Sequence, residues 1–135
     1  MDMFPWKSEY SVNIPEIDRQ HQKLLSLVND LDRGVKSGQS RLELQRIFAG
    51  LLEYALFHFQ AEEELMSNHL FPGLDEHKKE HEEFRKKIVE FLDAFLDTDA
   101  RVQPDMMAYL EGWLQSHVFV TDKKYAAFLN ERGVF

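Results

Sequence analysis

The sequence predicts an all-α protein: an up-down-up-down four-helix bundle with an extended N-terminal arm and a short C-terminal helical extension. Apolar residues recur at spacings of three and four through four long stretches, the period of a helix that buries one face. Glycine and proline occupy only ten positions and cluster where turns are needed. No stretch alternates apolar and polar residues as a half-buried strand would. A chain of 135 residues is long enough for one full hydrophobic core. Residues 1–135 therefore read as a single domain, with the arm over 1–16 and the helical bundle over 17–130.

Residues 1–16 lack helical periodicity and contain Pro5 and Pro15, which reads as extended chain. From Ile17 the positions Ile17, Leu24, Leu27, Val28 and Leu31 predict a first helix ending near Gly34 to Gly38. A second helix is expected from about Arg41 to Met66, with Leu44, Ile47, Phe48, Leu51, Ala55 and Leu65 along one stripe. Asn68 to Gly73 is a turn, punctuated by Pro72-Gly73. The third helix, about Leu74 to Leu96, has the most regular seam: Leu74, His77, His81, Phe84, Ile88, Phe91 and Phe95. Asp97 to Pro104 reads as a loop, and Pro104 suits the first position of a fourth helix. That helix buries Met106, Met107, Leu110, Trp113, Leu114 and His117, and Tyr125, Phe128 and Leu129 carry the pattern toward the C-terminus.

Five of the six histidines fall on these apolar faces, together with two carboxylates: His21; His58 and Glu62; His77 and His81; His117 and Asp122. Residues four apart are neighbours on one helix face, so His58/Glu62 and His77/His81 can each aim two donor atoms at one point. At about 1.5 Å rise per residue, an antiparallel bundle brings the histidine positions to within roughly 5–12 Å of the same end. One spacing is irregular. Five α-helical residues place His117 and Asp122 about 140° apart around the axis. A π-type bulge or a break is therefore expected between them, near Val118-Phe119-Val120-Thr121. Three of those four residues are β-branched, which weakens the local α preference.

A net charge of −8 and a pI near 5.2 argue against nucleic acid or an anionic membrane as partner. The absence of cysteine removes disulfides, thiolate nucleophiles, iron–sulfur clusters and cysteine zinc sites. Met1 to Trp6 shows no basic segment followed by an apolar run. The most apolar stretch, Ile47 to Phe59, is too short to span a bilayer and includes Glu53 and His58. A cytoplasmic location is the expectation, and any signalling role would need a separate partner protein.

Seven nitrogen and oxygen ligands are too many for one structural zinc. They suit two metals bridged by the carboxylates. Imidazoles and carboxylates accept iron, manganese, zinc, nickel or copper. With a bridging oxide or hydroxide the set supplies about eleven bonds, six at one metal and five at the other, which points to iron or manganese rather than zinc. The five-coordinate metal keeps one vacancy. Leu24, Phe59, Trp113, Leu114 and Val118 lie one to four residues from ligands and are expected to wall it. No serine, threonine, lysine or further acid is placed there as an acid, base or nucleophile. That pattern suits a small neutral gas and a binding protein rather than an enzyme. Tyr125, three residues beyond Asp122, is positioned either to hydrogen-bond that carboxylate or simply to pack. His69 sits in a turn without a partner at ligand spacing and reads as a surface residue. The charge runs Glu62-Glu63-Glu64, His77 to Glu83 and Arg85-Lys86-Lys87 otherwise read as solvated faces; among the glutamates of the first run, Glu62 alone falls on the core stripe.

The segments Ile17-Asp18-Arg19-Gln20-His21, His58-Phe59-Gln60-Ala61-Glu62-Glu63, Pro72 through His77 to His81, and Trp113-Leu114-Gln115-Ser116-His117 with Asp122 resemble the hemerythrin family in its single-domain bacterial form. The resemblance runs over essentially the whole chain. It implies a non-haem centre of two iron ions, with a bridging oxide or hydroxide, that binds dioxygen reversibly. Carried over by position, it implies His77, His81 and His117 on one iron, His21 and His58 on the other, and Glu62 and Asp122 as bridges. Dioxygen would bind at the iron with two histidines. Leu24, Phe59, Trp113 and Leu114 match pocket positions of the family.

The function expected from these readings is dioxygen carriage, storage or delivery to an oxygen-using protein partner. The alternatives are a sensor of dioxygen, nitric oxide or iron redox state acting through a partner, or a di-iron enzyme such as a peroxidase, nitric oxide reductase or iron oxidase. Ferritin-like di-iron enzymes rely mostly on carboxylates, and the histidine-rich set argues against that class.

Overall fold

The computed structural model describes residues 5–96 and 102–134. Helices α1 (Pro15–Lys36), α2 (Arg41–Asn68), α3 (Leu74–Leu96) and α4 (Val102–Trp113) form the bundle. The fourth rod continues without interruption through a π-helical segment, Leu114–Thr121, into α5, Asp122–Glu131. Helix α1 packs on α2, α2 on α3, α3 on α4 and α4 back on α1, which closes a four-helix bundle. No strand occurs, and no helix is long and apolar enough to cross a membrane, among the described residues.

The arm is shorter and better anchored than its sequence suggests. Pro15 and Glu16 belong to α1, because proline at the first helical position lacks only an N–H that would be unpaired there. Glu16 and Asp18 in the first turn favour the positive end of the helix dipole. Asp18 also accepts from the Ser11 hydroxyl at 2.5 Å and from the Val12 N–H at 2.8 Å. Those bonds fold the arm back, and Val12 and Ile14 become buried core residues. A single 3-10 turn, Ser8–Tyr10, presents Tyr10 to Phe119, their rings stacked at 3.8 Å and 7°.

The other boundaries differ by small amounts with clear local causes. Ser40 caps α2 by accepting from the Glu43 N–H at 3.2 Å, the S-x-x-E arrangement of a capping box. Helix α2 runs two residues past Met66. Helix α4 starts at Val102, so Pro104 sits inside its first turn, where no backbone bond requires its missing N–H. The expected loop at 97–101 and the side chain of Phe95 lie outside the described residues. At the α1–α2 corner, a Cβ on buried Gly34 would meet Leu44 Cδ2 at 3.0 Å and Gln39 Oε1 at 2.8 Å, so a larger residue there would require both side chains to give way.

Buried side chains form two clusters. The larger holds Leu24, Leu25, Val28, Leu31, Phe48, Leu51, Phe84, Ile88, Leu110 and Leu114 among others. The smaller joins Val12, Ile14 and Ile17 to Met66, Tyr125, Ala126 and Leu129. Leu25 and Met66 prove buried although neither stood on its predicted stripe, whereas Ile47 and Leu65 are only half-buried. The apolar arc of a packed helix is wider than an i, i+3, i+4 count captures.

The irregularity expected between His117 and Asp122 is present as the π segment, and it begins earlier, at Leu114. The Asp122 N–H bonds back to the His117 carbonyl, five residues before it. Closing each turn on the fifth residue returns Asp122 toward the face that His117 occupies.

Candidate metal centre

All seven polar residues singled out from the sequence meet in one buried layer between the two apolar clusters. His21, His58, Glu62 and Asp122 have no solvent exposure, and His77, His81 and His117 have 2–3 %. Two sets of donor atoms converge, each with members within 4.8 Å of one another. One comprises His77, His81, His117 and Asp122; the other His21, His58, Glu62 and Asp122. Asp122 belongs to both. Its Oδ1 lies 2.9 Å from His77 Nε2 and 3.2 Å from His117 Nε2, while Oδ2 lies 3.2 Å from His21 Nε2. Glu62 divides its oxygens the same way, with Oε1 against His58 Nε2 and Oε2 at 3.4 Å from His77 Nε2.

These atoms are close without being hydrogen-bonded. His21 Nε2, His58 Nε2, His77 Nε2 and all four oxygens of Glu62 and Asp122 have no hydrogen-bond partner among the described residues. An unsatisfied buried polar atom costs about 1–3 kcal/mol, so a cluster of this size would consume the net stability of a domain, about 5–15 kcal/mol. A cation at the centre resolves the conflict. Metal–ligand bonds of about 2.1 Å place adjacent ligand atoms about 3.0–3.4 Å apart, between the right-angle and tetrahedral limits. The contacts of 2.9–3.4 Å match. The residues present therefore fit nitrogen- and oxygen-bound transition metal.

The ionised carboxylates demand positive charge in the layer, which protons supply in the metal-free protein and a metal would displace. Burial opposes ionisation of Glu62, but His58, His21 and His77 outweigh it and hold its carboxyl well below the usual range. Burial and the neighbouring Glu62 oppose ionisation of Asp122; His117 and His21 overcome both and keep it low. Burial also disfavours charge on His21 and His77, yet Asp122 and Glu62 lift them to about 9 and about 10. His81 is pushed down to about 3, chiefly by burial, and is a neutral ring.

Three outer groups escaped the sequence reading. Gln20 Oε1 lies 2.7 Å from His58 Nδ1 and is itself buried. Glu63 Oε2 lies 2.8 Å from His81 Nδ1, so this residue of an apparently solvated run is half-buried and oriented inward. Glu80 Oε2 faces His117 Nδ1 at 3.5 Å. The available signal was adjacency: each glutamate neighbours a candidate ligand, and metal-bound imidazoles usually need an acceptor behind the second nitrogen. Leu24, Phe59, Leu114 and Val118 are buried together in the larger core. Phe59 stacks on His81 at 3.9 Å, and half-buried Trp113 stacks on His117 at 4.5 Å. Tyr125 is fully buried beside the layer, but its hydroxyl makes no hydrogen bond to Asp122 or to any other described residue. Burial and the Glu62 and Asp122 carboxylates raise its pKa well above the usual value. His69 stays outside the cluster, its Nδ1 2.9 Å from the Leu65 carbonyl.

A four-helix bundle with a buried layer of histidines and carboxylates defines an all-α protein with a cation-binding core. The model of the hemerythrin HHE cation binding domain matches residues 12–129, and this chain belongs to the hemerythrin family. It is 31 % identical over 128 residues to a bacteriohemerythrin of Clostridium acetobutylicum, covering 91 % of this chain and 98 % of that one. A hemerythrin-like protein of Naegleria gruberi is also 31 % identical, with 93 % of each chain covered. Among solved structures, wild-type hemerythrin superposes with a TM-score of 0.85 at 26 % identity, covering 93 % of this chain and 96 % of that chain.

Proposed function

We propose that this chain binds dioxygen reversibly at a non-haem di-iron centre and serves as an oxygen carrier, store or delivery protein. The observation that carries the reading is the division of each carboxylate between two sets of histidines. Asp122 turns one oxygen to His77 and His117 and the other to His21; Glu62 turns one to His58 and the other to His77. Two carboxylates so placed would serve two ions, with His77, His81 and His117 holding one and His21 and His58 the other. Two iron ions there, with a bridging oxide or hydroxide, would supply the electrons and the open position that reversible dioxygen binding requires.

The surrounding residues support binding more than turnover. Leu24, Phe59, Leu114 and Val118 belong to the apolar cluster beside the layer, and Phe59 and Trp113 fix two rings by stacking. Gln20 and Glu63 hold His58 and His81 from behind, which sets ring orientation. Tyr125 offers a phenolic proton beside the bridging carboxylates. None of the wall residues Leu24, Phe59, Leu114 and Val118 can act as acid, base or nucleophile toward a substrate.

Iron-loaded protein should contain about two irons per chain. Cycled between argon and air after reduction, it should show a visible absorption band that comes and goes reversibly. One metal per chain, or none, ends the di-iron reading. Irreversible bleaching with sustained consumption of reductant replaces the carrier with an enzyme.

A further inference from the structure

Two cavities reach rings of the polar layer, and their walls differ in charge. One, of about 380 Å³, lies over His81, where Glu63 and Glu82 are balanced by Lys78 and Arg85 beside apolar Leu56 and Phe59. The other, of about 240 Å³, opens on His77 between α3 and the junction of the π segment with α5. Phe71, Gly73, Glu76, Glu80, Thr121 and Lys124 complete its wall. Glu76 and Glu80 are one helical turn apart on the same face, and one ammonium opposes two carboxylates. Glu80 spans the wall: its side chain is 39 % exposed while Oε2 lies 3.5 Å from His117 Nδ1. That nitrogen is buried without a hydrogen-bond partner, and His77 lines the cavity while its Nε2 faces the carboxylates of the layer.

We propose that this opening is the route by which metal enters, with Glu76 and Glu80 forming a transient site for a hydrated divalent cation before it passes His77. The proposal rests on the di-metal reading of the layer and adds the path to it. A hydrated divalent ion must exchange its waters for protein ligands to enter a buried site, and carboxylate oxygens can replace them one at a time. Net negative charge at the mouth raises the local cation concentration and speeds encounter. Lys124 opposes this field. A buried centre also needs an entry path, and the balanced walls over His81 give a cation no such attraction.

The test is cobalt(II) uptake by chelator-stripped full-length protein at low ionic strength, followed by the rise of the visible cobalt bands and by the final cobalt-to-chain ratio. E76Q and E80Q should each slow uptake, roughly three- to tenfold, and K124Q should accelerate it. E76Q should still fill to the wild-type ratio, and E82Q, in the other cavity, should load at the wild-type rate. Wild-type rates in both E76Q and E80Q overturn the route, as does slowing by E82Q. If the wild-type protein reaches two cobalt ions per chain but ignores these charges, only the route fails. If it binds one ion or none, the di-metal reading fails and the route with it.

Discussion

Gln20 on α1 places its side-chain oxygen 2.7 Å from Nδ1 of His58 on α2, so one helix holds a ring that another carries. With Nδ1 turned to an amide oxygen, Nε2 of His58 is directed at the centre, against Glu62. Replacing Gln20 by Ala should weaken metal binding about 10- to 100-fold, the usual cost of losing such a support. Competition against a chelator of known affinity measures it. Unchanged affinity would show that packing alone orients His58.

His117 and His69 provide a paired comparison. His117 is buried and faces Asp122, His81 and Glu80, whereas the His69 ring meets the Leu65 carbonyl near the end of α2. His117→Ala should lose metal or oxygen binding, and His69→Ala should retain both. Metal analysis of the purified variants decides it; an empty site in His69→Ala would mean the ligands are assigned wrongly.

Tyr125→Phe removes a buried hydroxyl that has no hydrogen-bond partner among the described residues. Relief of that penalty should stabilise the metal-free protein by about 1–3 kcal/mol. Urea unfolding of chelator-treated protein is the measurement. A loss of similar size would show that the phenol bonds Glu62 or Asp122 after small movements.

Phe48 is 1 % exposed in the larger cluster, away from the polar layer in sequence. Phe48→Ala should cost about 3–5 kcal/mol through the cavity it leaves, with the metal content of the folded fraction unchanged. Denaturation together with metal analysis separates the two effects. Loss of metal in well-folded Phe48→Ala would tie the centre to distant packing.

Much of the site was legible because helical geometry is local. His58/Glu62 and His77/His81 share faces by spacing alone, and the five-residue step from His117 to Asp122 demanded the departure from α-helix that appears as the π segment. Glu63 and Glu80 were not legible as inward groups, since each lies in a charge run that otherwise reads as a solvated face, with Glu64 and Lys79 beside them exposed. Their direction depends on rings carried by other helices, 18 and 37 residues away in the chain.

Periodicity determined the four helices, the faces they bury and the polar residues those faces carry, because backbone bonding repeats every few residues whatever the surroundings. Only tertiary structure decided how the two carboxylates divide their oxygens, which outer groups lie behind His58, His81 and His117, and where the layer opens to solvent. It also turned Val12 and Ile14 from arm into core. Those outcomes arise from distances between helices, and such distances are set by the packing of side chains that no stretch of sequence contains by itself.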